Sequence, residues 1–213
     1  MQMNMRNWLI ALNVALLGLI LGLALFWHPV PAEVVIPGIE TRASPDIPLA
    51  TAPQGGDFTL DGPRGAMSLQ DFRGKVVLLY FGYTYCPDIC PTSLVVWQAA
   101  LASLTAEELA RVQPLLVSVD PARDSVARLA EYTTFFHPAI IGLSGTPTVL
   151  REIADRYGAV FVRQENVSAG GYVIDHTAVT YVIDPRGRIA ATLPHGATAE
   201  QLLAAIRTNL SIQ

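Results

Sequence analysis

The chain has 213 residues, of which 51% are hydrophobic, and this is enough apolar material for one sizeable domain with a core. Its formal net charge is −4 and its single lysine is Lys75, so it has no basic patch and is not expected to bind nucleic acid. Only two cysteines are present, Cys86 and Cys90.

The N-terminal part predicts a transmembrane anchor. Residues 8–27 carry no charged side chain, and a helix of this length spans roughly 30 Å, the thickness of a bilayer core. Arg6 precedes this run and no charge follows it until Glu33, so residues 1–7 are predicted to be cytoplasmic and the remainder exported. A cleaved signal peptide, cut near Ala32, is the alternative. The N-terminus lacks the Arg- and Ser-rich character of a mitochondrial presequence, which favours a bacterial inner membrane with the soluble domain in the periplasm.

Residues 28–54 are rich in proline and lack periodicity, so they predict an extended linker, and the folded domain is expected over residues 55–213. Apolar runs bounded by turn residues predict strands, and runs with helical spacing or capping residues predict helices. The predicted strands are 58–60, 66–69, 76–81, 115–119, 140–141, 159–162, 172–174, 179–183 and 188–192. The predicted helices begin near residue 92 and residue 105, and then cover 125–136, 147–157 and 198–209.

Strands that alternate with helices and end in a hairpin and a helix predict an α/β fold with a mixed central sheet. The strand at 76–81 runs into the cysteine pair and a helix runs out of it, which is the arrangement of a thioredoxin-like domain, although three residues rather than two separate these cysteines. A strand-to-helix junction favours thiolate over thiol, because backbone N–H groups and the helix dipole lie there. Thiolates attack disulfides and also bind soft metals, so both chemistries remain open for Cys86 and Cys90.

Two thiolates suit Cu(I), and a third ligand would complete a trigonal site. The chain offers four histidines. His28 and His195 are predicted to be surface residues, and His137 is predicted to close a helix. His176 lies in a predicted loop just before the strand at 179–183, which in a thioredoxin-like layout faces the cysteine loop. At this point a purely structural role for His176 is equally open.

Three segments together resemble the Sco/SenC family of copper-binding assembly proteins: residues 81–91 (FGYTYCPDICP), 119–124 (VDPARD) and 172–187 (YVIDHTAVTYVIDPRG). The similarity runs in order over nearly the whole soluble part and includes the single anchor. It implies a thioredoxin-like fold in which Cys86, Cys90 and His176 bind a copper ion, with both Cu(I) and Cu(II) open. It further implies delivery of copper, or reduction of cysteines, for the dinuclear copper site of cytochrome c oxidase. The implied partner is a copper-bearing oxidase subunit or another copper chaperone.

Acidic residues near these positions have structural interpretations. Asp88 is predicted to cap the helix that follows it. Asp120 and Asp124, with Arg123, form an acid–arginine cluster at a strand end, which is predicted to order the loop beside the cysteines. Asp175 is predicted either to support the copper site, as a hydrogen-bond partner or an extra Cu(II) ligand, or to be a turn residue that bonds its own backbone.

Three functions therefore follow from the sequence. The first is a membrane-anchored copper chaperone. The second is a thiol-disulfide oxidoreductase in which Cys86 and Cys90 are catalytic and reduce cysteines of an oxidase subunit or another envelope protein. The third is a copper or redox sensor that binds metal without delivering it.

Overall fold

The computed structural model describes residues 5–26, 47–165 and 171–211, and the chain divides into two compact units, residues 1–41 and 42–213. In the first unit, helix α1 covers Met5–Phe26, and its described large apolar side chains are exposed. Among the described residues, no helix has the length and apolar character needed to cross a membrane. The anchor predicted at 8–27 stays a prediction, and residues 28–46 of the predicted linker lie outside the described residues.

The second unit consists of nine described strands and five α-helices, with one short 3-10 helix at Leu69–Phe72. The strands are β1 Thr59–Gly62, β2 Gly65–Ser68, β3 Val76–Gly82, β4 Val112–Ser118, β5 Ile141–Leu143, β6 Phe161–Glu165, β7 Tyr172–His176, β8 Val179–Ile183 and β9 Ile189–Pro194. The helices are α2 Ile89–Ala102, α3 Ala106–Ala110, α4 Val126–Phe136, α5 Pro147–Arg156 and α6 Ala199–Leu210.

The central sheet has the strand order β5-β4-β3-β8-β9, and two further pairs, β1–β2 and β6–β7, form separate small sheets. Strands β3, β4 and β5 are parallel, whereas β8 runs antiparallel to β3 and β9 antiparallel to β8. The predicted α/β fold with a mixed sheet is therefore confirmed. Every residue of β3 is buried, because the central strand has both faces covered.

Alternate residues of β3 pack against different layers. The Tyr80 ring meets the Trp97 ring of α2 edge to face, with centroids 6.2 Å apart, and the Trp97 indole N–H donates to Oγ1 of Thr180 at 2.9 Å. On the other face, the Phe81 ring lies 5.9 Å from the ring of Tyr157, which follows α5. The alternation of β3 thus fixes α2, and with it the position of the cysteine pair, on one face of the sheet.

The predicted helix ends are mostly confirmed. Thr105 and Thr198 each form a capping box, Pro147 begins α5, and Gly158 ends it with a φ of +66°. The predicted cap at Asp88 is wrong in one respect. Asp88 is the N-cap residue of α2, but its side chain makes no capping hydrogen bond.

Two predicted boundaries near the cysteine and histidine segments are wrong. Helix α2 begins at Ile89 rather than near residue 92, so Cys90 is the second residue of the helix even though Pro91 follows it. His176 was predicted in a loop but is the last residue of β7, because β6 pairs along all five residues of β7 and Phe161 is the partner of His176. The sequence did not predict that β6 and β7 form a pair separate from the central sheet.

A buried carboxylate fixes the loop between β3 and α2. Asp124 accepts hydrogen bonds from the Thr84 backbone N–H at 3.0 Å, from the Thr84 hydroxyl at 2.6 Å and from the Ser118 hydroxyl at 2.7 Å. Asp124 is only 1% exposed, so these donors have little access to water. The three residues are called the Asp124 cluster below, and they confirm the predicted role of Asp124 in ordering this loop.

Replacing Asp124 with alanine is expected to lower the free energy of unfolding by about 2 to 4 kcal/mol, because buried donors left without an acceptor cost about 1 to 3 kcal/mol each. Guanidinium titration followed by circular dichroism measures the change. Glu131→Ala is the control, since that side chain is 77% exposed and its loss should change stability by less than about 0.5 kcal/mol. Equal stability of the Asp124 variant and the wild type would contradict this role.

Candidate metal centre

The two cysteines lie at the carboxyl end of β3 and the start of α2. Cys86 is in the connecting loop, where its backbone N–H donates to the Tyr83 carbonyl at 3.3 Å. The backbone N–H of Cys90, in the first turn of α2, lies 3.4 Å from Sγ of Cys86 and donates to it. Both thiols are free. The helix terminus therefore directs a backbone donor at the outer sulfur, as expected for a stabilised thiolate.

His176 completes a compact cluster with the two thiols. Its Nε2 lies 3.2 Å from Sγ of Cys90, and the ligand atoms of Cys86, Cys90 and His176 all lie within 4.8 Å of one another. Within residues 5–26, 47–165 and 171–211, no other three His, Cys, Asp or Glu side chains come together in this way. The structure thus brings the three residues singled out in the sequence to one place.

The other histidines lie elsewhere. His137 is the C-cap residue of α4, as predicted, and the Nδ1 of His195 lies 3.2 Å from the hydroxyl of Ser93 in α2. His195 is half-buried rather than a surface residue. His28 lies outside the described residues.

The His176 ring is held in one orientation and one tautomer. Its Nδ1 lies 3.2 Å from the Thr177 carbonyl, and because a carbonyl only accepts, Nδ1 carries the proton. In the neutral ring, Nε2 then has its lone pair beside the thiols. The rings of Tyr80 and Tyr83 pack edge to face against the imidazole, at 5.9 Å and 5.8 Å between centroids. A histidine fixed in this way presents a preformed metal-ligating nitrogen.

The cluster is buried to different depths. Cys90 and His176 are fully buried, and Cys86 is 6% exposed, which makes it the outermost of the three. Gly82, the last residue of β3, allows this packing. A Cβ atom at Gly82 would lie 3.0 Å from Sγ of Cys90 and 2.9 Å from the Tyr80 ring, so any larger residue would displace the inner thiol.

The two thiols differ in pKa. The pKa of Cys86 is lowered to about 4, chiefly because the Cys90 thiol donates a hydrogen bond to the Cys86 thiolate, with help from the His176 side chain and nearby backbone N–H groups and against the effect of burial. The pKa of Cys90 is raised well above its ordinary value, first of all by its complete burial. At neutral pH the pair therefore consists of an outer thiolate and an inner thiol.

Two of the acidic residues discussed in the sequence, Asp120 and Asp175, lie outside the cluster of Cys86, Cys90 and His176. Asp120 pairs with Arg123 and accepts a hydrogen bond from the Tyr172 hydroxyl at 2.7 Å, which confirms the predicted acid–arginine cluster for Asp120, whereas the Asp124 carboxylate binds Thr84 and Ser118 instead. Asp175 accepts a hydrogen bond from the Gln164 side chain at 3.0 Å. It lies within β7, so it is not the turn residue that was one of its two predicted roles, and it does not belong to the three-residue cluster.

Sequence reasoning missed the residues that orient His176. Tyr83 links the two halves of the cluster, because its hydroxyl accepts a hydrogen bond from the Ile174 backbone N–H at 3.0 Å while its ring packs on the imidazole. The aromatic density of residues 80–85 was a signal that could have pointed to such packing. The contact of the Thr177 carbonyl leaves no trace in the sequence, because every residue has a carbonyl.

Two cysteine sulfurs and one neutral imidazole nitrogen form a soft, three-coordinate ligand set, which suits Cu(I) better than Mg²⁺ or Ca²⁺. The same two sulfurs are close enough for thiol–disulfide chemistry. No rearrangement of the fold is needed to bring the three ligand atoms together.

Comparisons with known proteins agree with this arrangement. A model of the SCO1/SenC family matches residues 48–211. The mitochondrial protein SCO2 homolog of Bos taurus is 37% identical over 158 residues, which cover 73% of this chain and 59% of that protein. Arabidopsis thaliana ScoI, solved with copper bound, is 32% identical with a TM-score of 0.68 and coverage of 74% of this chain and 98% of that one.

A second solved structure resembles this chain about as closely as the first. Bradyrhizobium japonicum ScoI, also solved with copper bound, is 34% identical with a TM-score of 0.66, and the match covers 73% of this chain and 99% of that one. The chain spans 59 to 62% of the length of the first curated relatives it matches. Because the family match covers well over half of its residues and includes the whole cysteine–histidine cluster, the chain belongs to the SCO1/SenC family.

Proposed function

We propose that this protein is a membrane-anchored copper chaperone that holds a copper ion between Cys86, Cys90 and His176. It supplies that ion for assembly of the dinuclear copper site of cytochrome c oxidase. The observation that carries the proposal is the convergence of three soft ligands within 4.8 Å, with the His176 tautomer already set for metal binding. Membership of a family with copper-bound members supports it.

Delivery of the ion depends on how a partner reaches it. Cys90 and His176 are fully buried, so a partner's ligand can approach copper only from the side of Cys86. Ligand exchange would then begin with displacement of the Cys86 sulfur. The surface around that sulfur is formed by Tyr85, Pro87 and Asp88, which are all exposed. The partner that fits this proposal is a copper-bearing oxidase subunit or another copper chaperone.

The reduced full-length chain is expected to bind one Cu(I) ion, measured anaerobically by competition with a chromophoric chelator. His176→Ala should weaken this binding by at least about a hundredfold, because loss of a ligand costs no less than loss of the residue that supports a ligand, which costs about 10- to 100-fold. His195→Ala is the matched control, because it removes an imidazole outside the cluster. Unchanged affinity in the His176 variant, or no stoichiometric binding by the wild type, would remove the basis for the proposal.

A second function, thiol–disulfide exchange with an oxidase subunit or other envelope protein, is favoured by one specific observation. Cys86 is both the outermost member of the cluster and the thiol with the lowered pKa. A thiolate at neutral pH is the attacking species in disulfide exchange, and Cys90 lies where it can resolve the mixed disulfide. In this reaction His176 is dispensable, which separates it from copper delivery.

The ultraviolet absorbance of a thiolate reports the Cys86 pKa directly. In the reduced, metal-free chain, one thiolate should appear as the pH is raised through about 4. Cys90→Ala removes the main hydrogen-bond donor and should return the pKa of Cys86 toward the ordinary thiol value of about 8.5. Cys90→Ser keeps a donor hydroxyl and should leave the pKa low. If alanine and serine behave alike, the hydrogen bond is not the cause of the shift.

Membrane attachment through residues 8–27 in a bacterial inner membrane, with the domain in the periplasm, is also part of the proposal. This part rests on the amino-acid sequence, namely on twenty consecutive residues without a charge. The exposed apolar side chains of α1, such as Leu16 and Leu17, need an apolar environment, and a bilayer supplies one.

The full-length chain is therefore expected to sediment with membranes and to resist alkaline extraction, whereas deletion of residues 1–27 should release it into the soluble fraction. Fractionation followed by immunoblotting measures this distribution. Determining the N-terminal sequence of the exported protein distinguishes the alternative, since a mature chain that begins near Ala32 would mean a cleaved signal peptide.

A further inference from the structure

The proposed copper site takes its ligands from two segments that are not hydrogen-bonded to each other as neighbouring strands of the central sheet. Its geometry therefore depends on how these two segments are positioned relative to each other. Cys86 and Cys90 follow β3, the middle strand of that sheet, whereas His176 ends β7, which pairs only with β6. An isolated two-stranded pair is only marginally stable in water, so other contacts must hold it in place. At its carboxyl end β7 leads into β8, which pairs with β3, so contacts at the start of β7 complete the set that holds His176 beside the thiols.

Arg123 makes polar contacts with the first residue of β7. Its Nη1 donates to the Tyr172 backbone carbonyl at 3.0 Å, and its Nε donates to Asp120. The Tyr172 hydroxyl donates to the other oxygen of Asp120 at 2.7 Å. Asp120 is only 3% exposed, and the Arg123 side chain 15%, so this arrangement is largely screened from water. The start of β7 is therefore fixed to the loop after β4.

Arg123 also reaches the cysteine loop by stacking. Its guanidinium carbon lies 3.6 Å from the centre of the Tyr172 ring and 4.7 Å from the centre of the Tyr85 ring, and Tyr85 directly precedes Cys86. Outer guanidinium groups cover the two rings, Arg163 over Tyr172 at 3.6 Å and Arg128 over Tyr85 at 5.5 Å. These five residues, called the Arg123 stack below, connect the β6–β7 pair to the cysteine loop and to α4.

Stacking also accounts for an otherwise unsatisfied atom. Nη2 of Arg123 is buried and has no hydrogen-bond partner among the residues that the structure describes. A buried guanidinium nitrogen without a partner is costly unless the group interacts in another way, and the faces of Tyr172 and Tyr85 provide that interaction. A planar group is needed for contact with both rings, and lysine lacks one.

We propose that Arg123 is a positioning residue of the copper site, which fixes the β6–β7 pair against the cysteine loop and so sets the distance from His176 to the two thiols. The inference rests on the proposed function, because it concerns the geometry of the same copper site. Arg123 does not touch copper. It acts through Tyr172, at the start of the strand that His176 ends, and through Tyr85, next to Cys86.

A double-mutant cycle tests the proposal with the reduced full-length chain and Cu(I) as the probe. Arg123→Ala should weaken Cu(I) binding by about tenfold, as loss of a residue that supports a metal ligand does. In a His176→Ala background the same substitution should change the affinity by less than about twofold, because the ligand that Arg123 positions is already gone. An equal loss in both backgrounds, or no loss in either, overturns the proposal.

Two further variants separate positioning from folding. Arg123→Lys keeps the charge beside Asp120, and with it the fold, but cannot stack between two rings, so its loss of affinity should match that of alanine. Arg207→Ala removes another arginine, which pairs with Glu108 at 2.8 Å and touches none of Tyr85, Tyr172, β6 and β7 in the described contacts. Its Cu(I) affinity should equal that of the wild type. Wild-type affinity in the lysine variant would show that charge alone is sufficient and would overturn the role of stacking.

Hydrogen exchange in the metal-free chain decides the matter even if the wild type does not bind Cu(I). Arg123→Lys should make the amides of residues 172–176 exchange at least about fivefold faster, because β7 is then less firmly held. Arg207→Ala should leave these rates unchanged. Faster exchange without any copper binding would support the positioning role and refute the proposed function, whereas unchanged exchange would refute the positioning role.

Discussion

The relative directions of β3, β4 and β8 bring together the loops that carry the cysteines, the Asp120 and Asp124 side chains and His176. Because β3 and β4 are parallel, the cysteine loop after Gly82 and the loop after Ser118 leave the sheet at the same edge. Because β8 is antiparallel to β3, its first residue, Val179, lies at that edge too, and His176 comes just before it. Residues far apart in sequence thus meet without any long connection across the sheet.

The loops at this edge of the sheet carry polar groups next to an apolar core. Their buried donors and acceptors must therefore form hydrogen bonds with other groups of the protein. The Asp124 cluster, Asp120 and the Thr177 carbonyl each take up donors that would otherwise be buried without a partner. The same contacts hold the cysteine loop, the start of β7 and the imidazole ring. The stability of the domain and the geometry of the cysteine–histidine cluster consequently depend on the same interactions. A substitution at one of these residues is therefore expected to change both.

The sequence predicted most of the fold because its signals are local. An uninterrupted apolar run gave β3, and Thr105 with Glu108 gave a helix start that needs only neighbouring residues. His176 was placed in a loop because its strand is set by pairing with Phe161 of β6, a contact made across a separate small sheet. The cysteines and His176 could be joined into one proposed site only through the family resemblance, since the position of His176 opposite the cysteine loop left a purely structural role equally open. The ion pair of Arg123 with Asp120 was predicted, but its contacts with Tyr172 and Tyr85 were not, because stacking leaves no spacing pattern in the chain.

The side chains around the site fall into two groups by solvent exposure. The buried ones hold the segments of the site in place, whereas the exposed ones contact those segments from outside. Arg123 and Asp120 lie inside, with 15% and 3% of their side chains exposed, and they contact several partners each. Arg128 and Arg163, the outer layers of the Arg123 stack, are 44% and 51% exposed, and their ion pairs with acidic neighbours are weakened by water. A change at an outer layer therefore costs little stability but still acts on Tyr85 or Tyr172. Substitutions near the proposed copper site are for that reason more easily accommodated at Arg128 and Arg163 than at the buried residues that hold the three ligand side chains.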